Sequence, residues 1–453
     1  MSNIVSTLRV TWTQGEFTWL FQLMVVFTVG LTLVFVGCGE DDDGEPEPEP
    51  IVEETIFVDG REVVVLQGEL TEDRTLTSDF DYLLRGAVFV EDGATLTIEP
   101  GVTIYGEQAQ NGTLIVAQGG KIMANGTADA PIVMTSDAEI GQRARGQWGG
   151  LIINGRAPTN QGVTAGEGDT GDFGGNDPAD NSGVLRYVRV EYAGIEFSPD
   201  NELNGIAFQG VGSGTVVEYV QVHMNQDDGI EMFGGTVNLK YALVTGARDD
   251  SFDWTDGWTG KGQFWVAQQY GDDADNGFEN DNSSKNNEAT PRSAPTIFNV
   301  TLVGDPADGS KSDNGMLIRE GAAGMYVNFI VTGFKEVGLD VNNESSHKQA
   351  NEGNLVVKNS IFFENGKANF GDEKDDDGFD EAAWAKGLGN VEKDPNLVAP
   401  FNKDNPNFTP GSGTSSVTPA TPPSDSFFDS VNFIGGVDPA NNWTKGWTTS
   451  ARN

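Results

Sequence analysis

The densest polar stretch of the chain is NQDDGIEMFGG, followed about one strand-turn unit later by ARDDSFDWTDGWTGK. Asp227 and Asp249 lie 22 residues apart, as do Asp228 and Asp250. In a coil of that period each acid would stack on its equivalent. Carboxylates about 5 Å apart repel and have their pKa values raised, so such a stack calls for a counter-charge. Three kinds of chemistry fit. Asp228, Glu231, Asp250, Asp253 and Asp256 are candidate oxygen ligands for a hard cation such as Ca²⁺. Asp227, Asp228, Asp249 and Asp250 are paired carboxylates that could serve as acid and base in hydrolysis, whereas a Ca²⁺-dependent lyase would need an Arg or Lys as base, with Arg248, Lys261 and Arg319 the candidates. The third option is turn chemistry alone, since Asn and Asp bond neighbouring backbone. Trp254, Trp258 and Trp265 fall within 12 residues. Flat rings beside carboxylates suit sugar binding, and equally suit core filling.

Charge narrows the partners. There are 69 acidic against 27 basic residues, a net charge of −42. That field opposes nucleic acid and disfavours anionic polymers. One Cys and two His exclude a disulfide framework and a His-rich zinc site. The Gly-rich GEGDTGDFGGNDPADNSG (166–183) has no lysine, so it reads as a projecting loop rather than a phosphate cradle. Asp375, Asp377 and Gly378 only partly match a calcium loop.

The elements that position these acids repeat. Asn204-Gly205-Ile206, Asp228-Gly229-Ile230, Asp250-Ser251-Phe252, Asn276-Gly277-Phe278 and Asn314-Gly315-Met316 share one pattern, with Val337-Gly338-Leu339 a weaker copy. The spacings are 24, 22, 26, 38 and 23 residues, the long one holding DNSSKNNEATPRSAP. Between them recur VVEYVQV, VNLKYALV, TIFNVTLV and MYVNFIV. Short strands at this period with polar turns predict an all-β fold, a single right-handed parallel β-helix over residues 55–453. About 14 coils of ~24 residues are expected, with residues 54–85 as an N-terminal cap. The segment DEAAWAKGL (380–388) reads as a short helix, and the last residues as a closing segment.

The front carries a family resemblance. GAVFVEDGATLTIEPGVTI, GTLIVAQGGKIMANGTADAPIVMTS and GQWGGLIINGRAP, with Gly126-Thr127, Ala130-Pro131-Ile132 and Trp148-Gly149-Gly150-Leu151, resemble secreted parallel β-helix proteins of pectin-lyase-like architecture. The ending FFDSVNFIGGVDPANNWTKGWT is similar to the close of Bacteroidetes-type members. The resemblance implies the fold over roughly residues 58–447 and leaves the activity open. The paired Asp residues also resemble those of polygalacturonase-type hydrolases, but the Gly-His-Gly and Arg-Ile-Lys elements of that family are absent.

Residues 19–36 are an uncharged apolar run, followed by the only Cys, Cys38, and then EDDDGEPEPEP. Such a run could just span a bilayer or serve as a secretory signal. It resembles a bacterial lipoprotein signal (1–37) with Cys38 as the lipidated residue. The acidic tether (38–54) resembles a surface-export signal. The resemblance implies a lipid-anchored outer-membrane protein facing the extracellular side, with the membrane as its first partner. The expected function is non-catalytic binding of an extracellular polymer, a glycan foremost. The alternatives are a Ca²⁺-dependent polysaccharide lyase or hydrolase, and an accessory lipoprotein docked on an outer-membrane transporter. No nucleic-acid partner is expected.

Overall fold

The computed structural model describes residues 54–58, 60–198, 201–307, 310–371 and 378–453. The signal, Cys38, all but the last residue of the tether, and Asp375 and Asp377 lie outside the described residues. Among the rest, no helix is long and apolar enough to cross a membrane.

The strands stack in parallel into a β-helix with three sheets. Sheet 1 includes Gly150–Asn154, Ile206–Gln209, Ile230–Phe233, Phe252–Thr255, Phe278–Asn280, Met316–Ile318 and Asp340–Val341, each paired with the next. Sheets 2 and 3 are two halves of long bent strands: Gly183–Glu191, Val216–His223, Asn238–Thr245, Lys261–Gln268, Thr296–Val303 and Gly324–Thr332. Alternation sends Ile230 and Met232, then Phe252 and Trp254, into the core. Each fully buried large apolar side chain contributes about 1.5–3 kcal/mol. The small residue of the repeated signature has a steric cause. A Cβ on Gly229 would lie 2.4 Å from Val244 Cγ1 and 2.6 Å from the Ser251 carbonyl oxygen.

The bend between sheets 2 and 3 falls on a residue with positive φ in successive coils: Tyr187, Tyr219, Tyr241, Phe264, Asn299 and Asn328. Aromatic residues resist this conformation. Stacking offsets the cost: Tyr187 lies 4.4 Å from Tyr219, Tyr219 4.3 Å from Tyr241, and Tyr241 4.9 Å from Phe264, all near parallel. Where Asn takes over, its tolerance of that region replaces stacking.

Nine successive pairings carry sheet 2 from Arg74–Leu76 to Leu355–Lys358, so ten coils contribute there, not about 14. The missing length lies outside the coils. Residues 155–182 fold over the front of sheet 1, and the loop expected to project instead buries Phe173 against Phe233, 6.2 Å away. Residues 281–295 form a further loop. The front is a hairpin, Thr55–Val58 antiparallel to Arg61–Leu70. Two helices, α1 (Glu344–Glu352) and α2 (Glu381–Gly387), lie towards the far end.

The chain then runs back along the bend as a strap. Outward amides clamp its backbone reciprocally. Asn328 donates to Ala420 O and accepts from its N–H, both at 2.9 Å. Gln263 does the same with Asp429, and Gln221 with Thr449. Trp443 and Trp447 cover the tyrosine stack. Asn328→Ala should cost about 1–3 kcal/mol in urea denaturation, because both Ala420 backbone groups lose their partner; a change below about 0.3 kcal/mol would refute the clamp.

Candidate functional site: a carboxylate cleft on sheet 1

The turn leading into sheet 1 places equivalent residues of successive coils in rows. In the inner row, each side-chain oxygen serves the next coil. Asp250 N–H donates to Asp228 Oδ1 at 2.9 Å, Asn276 N–H to Asp250 Oδ1 at 2.5 Å, and Asn314 Nδ2 to Asn276 Oδ1 at 2.9 Å. One residue earlier, Asp227, Asp249, Asp275 and Asp313 line an open cleft of about 590 Å³, with Glu202 opposite. On the outer face of the sheet, Glu231, Asp253 and Glu279 are in register.

Three overlapping trios have carboxylate oxygens within 4.8 Å of one another: Asp227–Asp228–Asp249, Asp228–Glu231–Asp253 and Asp249–Asp250–Asp275. The nearby cations are largely committed. Arg248 and Lys311 both hold Asp273, and Arg319 holds Glu279 and Asp281, the latter at 2.9 Å. Lys261 points to Asp425 on the strap. Asn204, 1% exposed, donates from Nδ2 to Glu231 at 2.6 Å and Glu167 at 3.3 Å, while its Oδ1 has no partner. Asp253 Oδ1 is likewise buried without a hydrogen bond.

Burial is the first cause of the acidity changes and like charge the next. Asp228, Glu231, Asp250 and Asp253 are all pushed well above the ordinary carboxylate range. Burial, then Asp227, lifts Glu167 to about 8, and burial, then Asp249, lifts Asp227 to about 7. Burial takes Glu279 to about 7 although Arg319 opposes it. Asp273 runs the other way, held low by hydrogen bonds from Lys311 and Arg248. An all-oxygen donor set, with neither Cys nor His, fits a hard cation and not zinc.

The predicted residues fare unevenly. Asp228, Glu231 and Asp253 come together, while Asp250 joins Asp249 and Asp275 instead. Asp256 belongs to no trio. It follows its strand in a turn and accepts from Gln161 Nε2 at 2.6 Å. The tryptophan reading is corrected: Trp254, Trp258 and Trp265 are 0% exposed, so no sugar reaches them. Trp254 stands in register with Met232 and Trp265 with Ala242, on inward rows. The Trp258 and Trp265 indoles donate to the backbone oxygens of Val237 and Leu239.

Three contributors went unread. Asp313 precedes a signature Asn as Asp275 does, so the repeat itself could have found it. Glu202 comes from a two-residue strand, and Glu167 from the loop folded over sheet 1; neither has a local signal.

These features define a parallel β-helix with one acid-lined face. A family model described as a pectate-lyase-like β-helix domain matches residues 68–448, and the chain belongs to that family. No curated protein and no solved structure matches it significantly.

Without cations, the native state holds more protons than the unfolded chain between about pH 4.5 and pH 8. The melting temperature should therefore fall as pH rises from 5 to 8 in EDTA; a rise over that window would refute the raised acidities. Trp265→Ala should destabilise by about 3–5 kcal/mol in chemical denaturation, as for a large core ring; a surface-like change under 1 kcal/mol would contradict the core placement.

Proposed function

We propose that this chain is a surface-exposed outer-membrane lipoprotein, anchored through Cys38, that binds an extracellular glycan without cleaving it. Contact is made through the sheet 1 cleft and a hard divalent cation, Ca²⁺ foremost, held by its carboxylates. The observation that carries this reading is the convergence of three carboxylate trios with few free counter-charges. A cation there would relieve the repulsion, and the cleft mouth leaves room for polymer oxygens to complete its shell. The absence of cutting is supported by the engagement of Arg248, Lys261 and Arg319 with acids. Cations engaged in such ion pairs suit charge balance better than proton abstraction. Asp228 and Asp250 also serve as backbone acceptors of the next coil. The strap occupies the bend between sheets 2 and 3, leaving the part of sheet 1 beyond residues 155–182, with its open cleft, for a polymer.

Calorimetric titration of the full-length chain with Ca²⁺ at pH 7 should give saturable binding with proton release. Glu231→Gln and Asp253→Asn should each weaken it at least about tenfold, equivalent to about 1.4 kcal/mol. Asp228→Asn should weaken it while keeping the fold, since the amide oxygen can still accept from Asp250 N–H. In gels cast with polysaccharides, Ca²⁺-dependent retardation without cleared zones is expected. Cleared zones would overturn the non-catalytic reading, and loss of every effect would overturn the glycan.

A further inference from the structure

A second groove lies between the two short helices. One face of α1, including Glu344, His347 and Glu352, forms one wall, and Phe379, Asp380 and Trp384 form the other. Its volume is about 760 Å³. His347 is buried and lies flat against Phe379 at 4.7 Å, its Nε2 2.7 Å from Val341 O. That contact holds the Phe379 ring in place. Phe379 in turn meets Trp384 at 5.7 Å with the rings tilted by 52°. Both rings are only half-buried, unlike the three tryptophans inside the coil.

The groove is charged as well as aromatic. Glu344, Glu352 and Asp380 are exposed around it. Asp380 uses Oδ1 to accept from Ala383 N–H at the start of α2, which fixes the carboxylate and leaves its second oxygen for another donor. Lys348, a cation among the described lining residues, turns away to Glu288 at 3.0 Å.

Two half-exposed rings offer an angled apolar surface, and ring faces attract cations. Three carboxylates on a chain of net charge −42 repel an anionic ligand and attract a cationic one. A neutral sugar would use only the rings, and a simple metal ion only the acids. A pyranose carrying a protonated amine uses both. We propose that this groove binds an amino-sugar unit in its ammonium form. The inference rests on the glycan-binding reading and gives that glycan a chemical class: a polymer with free amines.

The test is calorimetric titration of the full-length chain with a fully deacetylated glucosamine tetramer and with its N-acetylated counterpart, below the amine pKa and at moderate salt. The glucosamine tetramer should bind at least about tenfold more tightly. Trp384→Ala should weaken it at least about tenfold, and so should the double variant Glu344→Gln/Glu352→Gln, with Ca²⁺ affinity unchanged. Should Trp384→Ala lower the melting temperature, the double variant decides, since both its positions are exposed. Equal binding of the two tetramers overturns the proposal. So does glucosamine binding that Asp249→Asn or Asp275→Asn removes and the groove variants do not, because the amine then sits in the sheet 1 cleft. If neither tetramer binds while Ca²⁺-dependent retardation by another glycan persists, the amino-sugar inference falls and the broader function stands.

Discussion

Each strand of the coils lies over its equivalent in the next coil, so a strand side chain must coexist with the one at the same position of the neighbouring coil, about 4.8 Å away. Inside the coil that constraint is favourable. Ile230 over Phe252 over Phe278 buries apolar surface continuously. At the bend it permits a conformation that isolated aromatic residues avoid, because Tyr187, Tyr219 and Tyr241 stack as they adopt it. At the turn into sheet 1 it suits Asn and Asp, whose oxygens accept from the next coil. Only where carboxylates repeat on the outside does stacking become unfavourable. Asp227 with Asp249, and Glu231 with Asp253, are placed in the arrangement that charge most opposes.

The strap determines where that stress can serve a purpose. Its backbone is clamped by Asn328, Gln263 and Gln221, and its tryptophans cover the tyrosines. The bend is thus occupied by the chain itself. Sheet 1 is covered at its front by residues 155–182, so the acids left open are those of the row Asp227, Asp249, Asp275 and Asp313. An unfavourable charge arrangement left at the accessible part of a solenoid is a reasonable place to seek a ligand.

The parallel stack and the pairing of Asp228 with Asp250 were legible because a repeat of 22 residues converts spacing directly into position. The tryptophans misled for a related reason. Over DWTDGWTGK the chain leaves a strand, turns and enters another, and across a turn the in-or-out alternation cannot be counted. Asp256 failed in the same way, as the turn residue itself. Glu167 was invisible because its loop looks like any acidic surface loop, and only Phe173 within it hinted at a fold-back. The left-handed bend was hidden too, since Tyr is a strand former and nothing local marks it as a bend residue. The coil count came out too high because loops and strap were counted as coil.

The central claim is that a hard cation relieves the stacked carboxylates of sheet 1. The most direct measurement is anomalous diffraction from crystals of the protein soaked with Tb³⁺ as a Ca²⁺ surrogate. The account predicts an anomalous peak among Asp228, Glu231 and Asp253, or among Asp249, Asp250 and Asp275, at oxygen-ligand distances of about 2.3–2.6 Å. A cleft without any peak at saturating Tb³⁺, its carboxyl groups joined instead by short hydrogen bonds, would mean that protons alone relieve the repulsion and would contradict it.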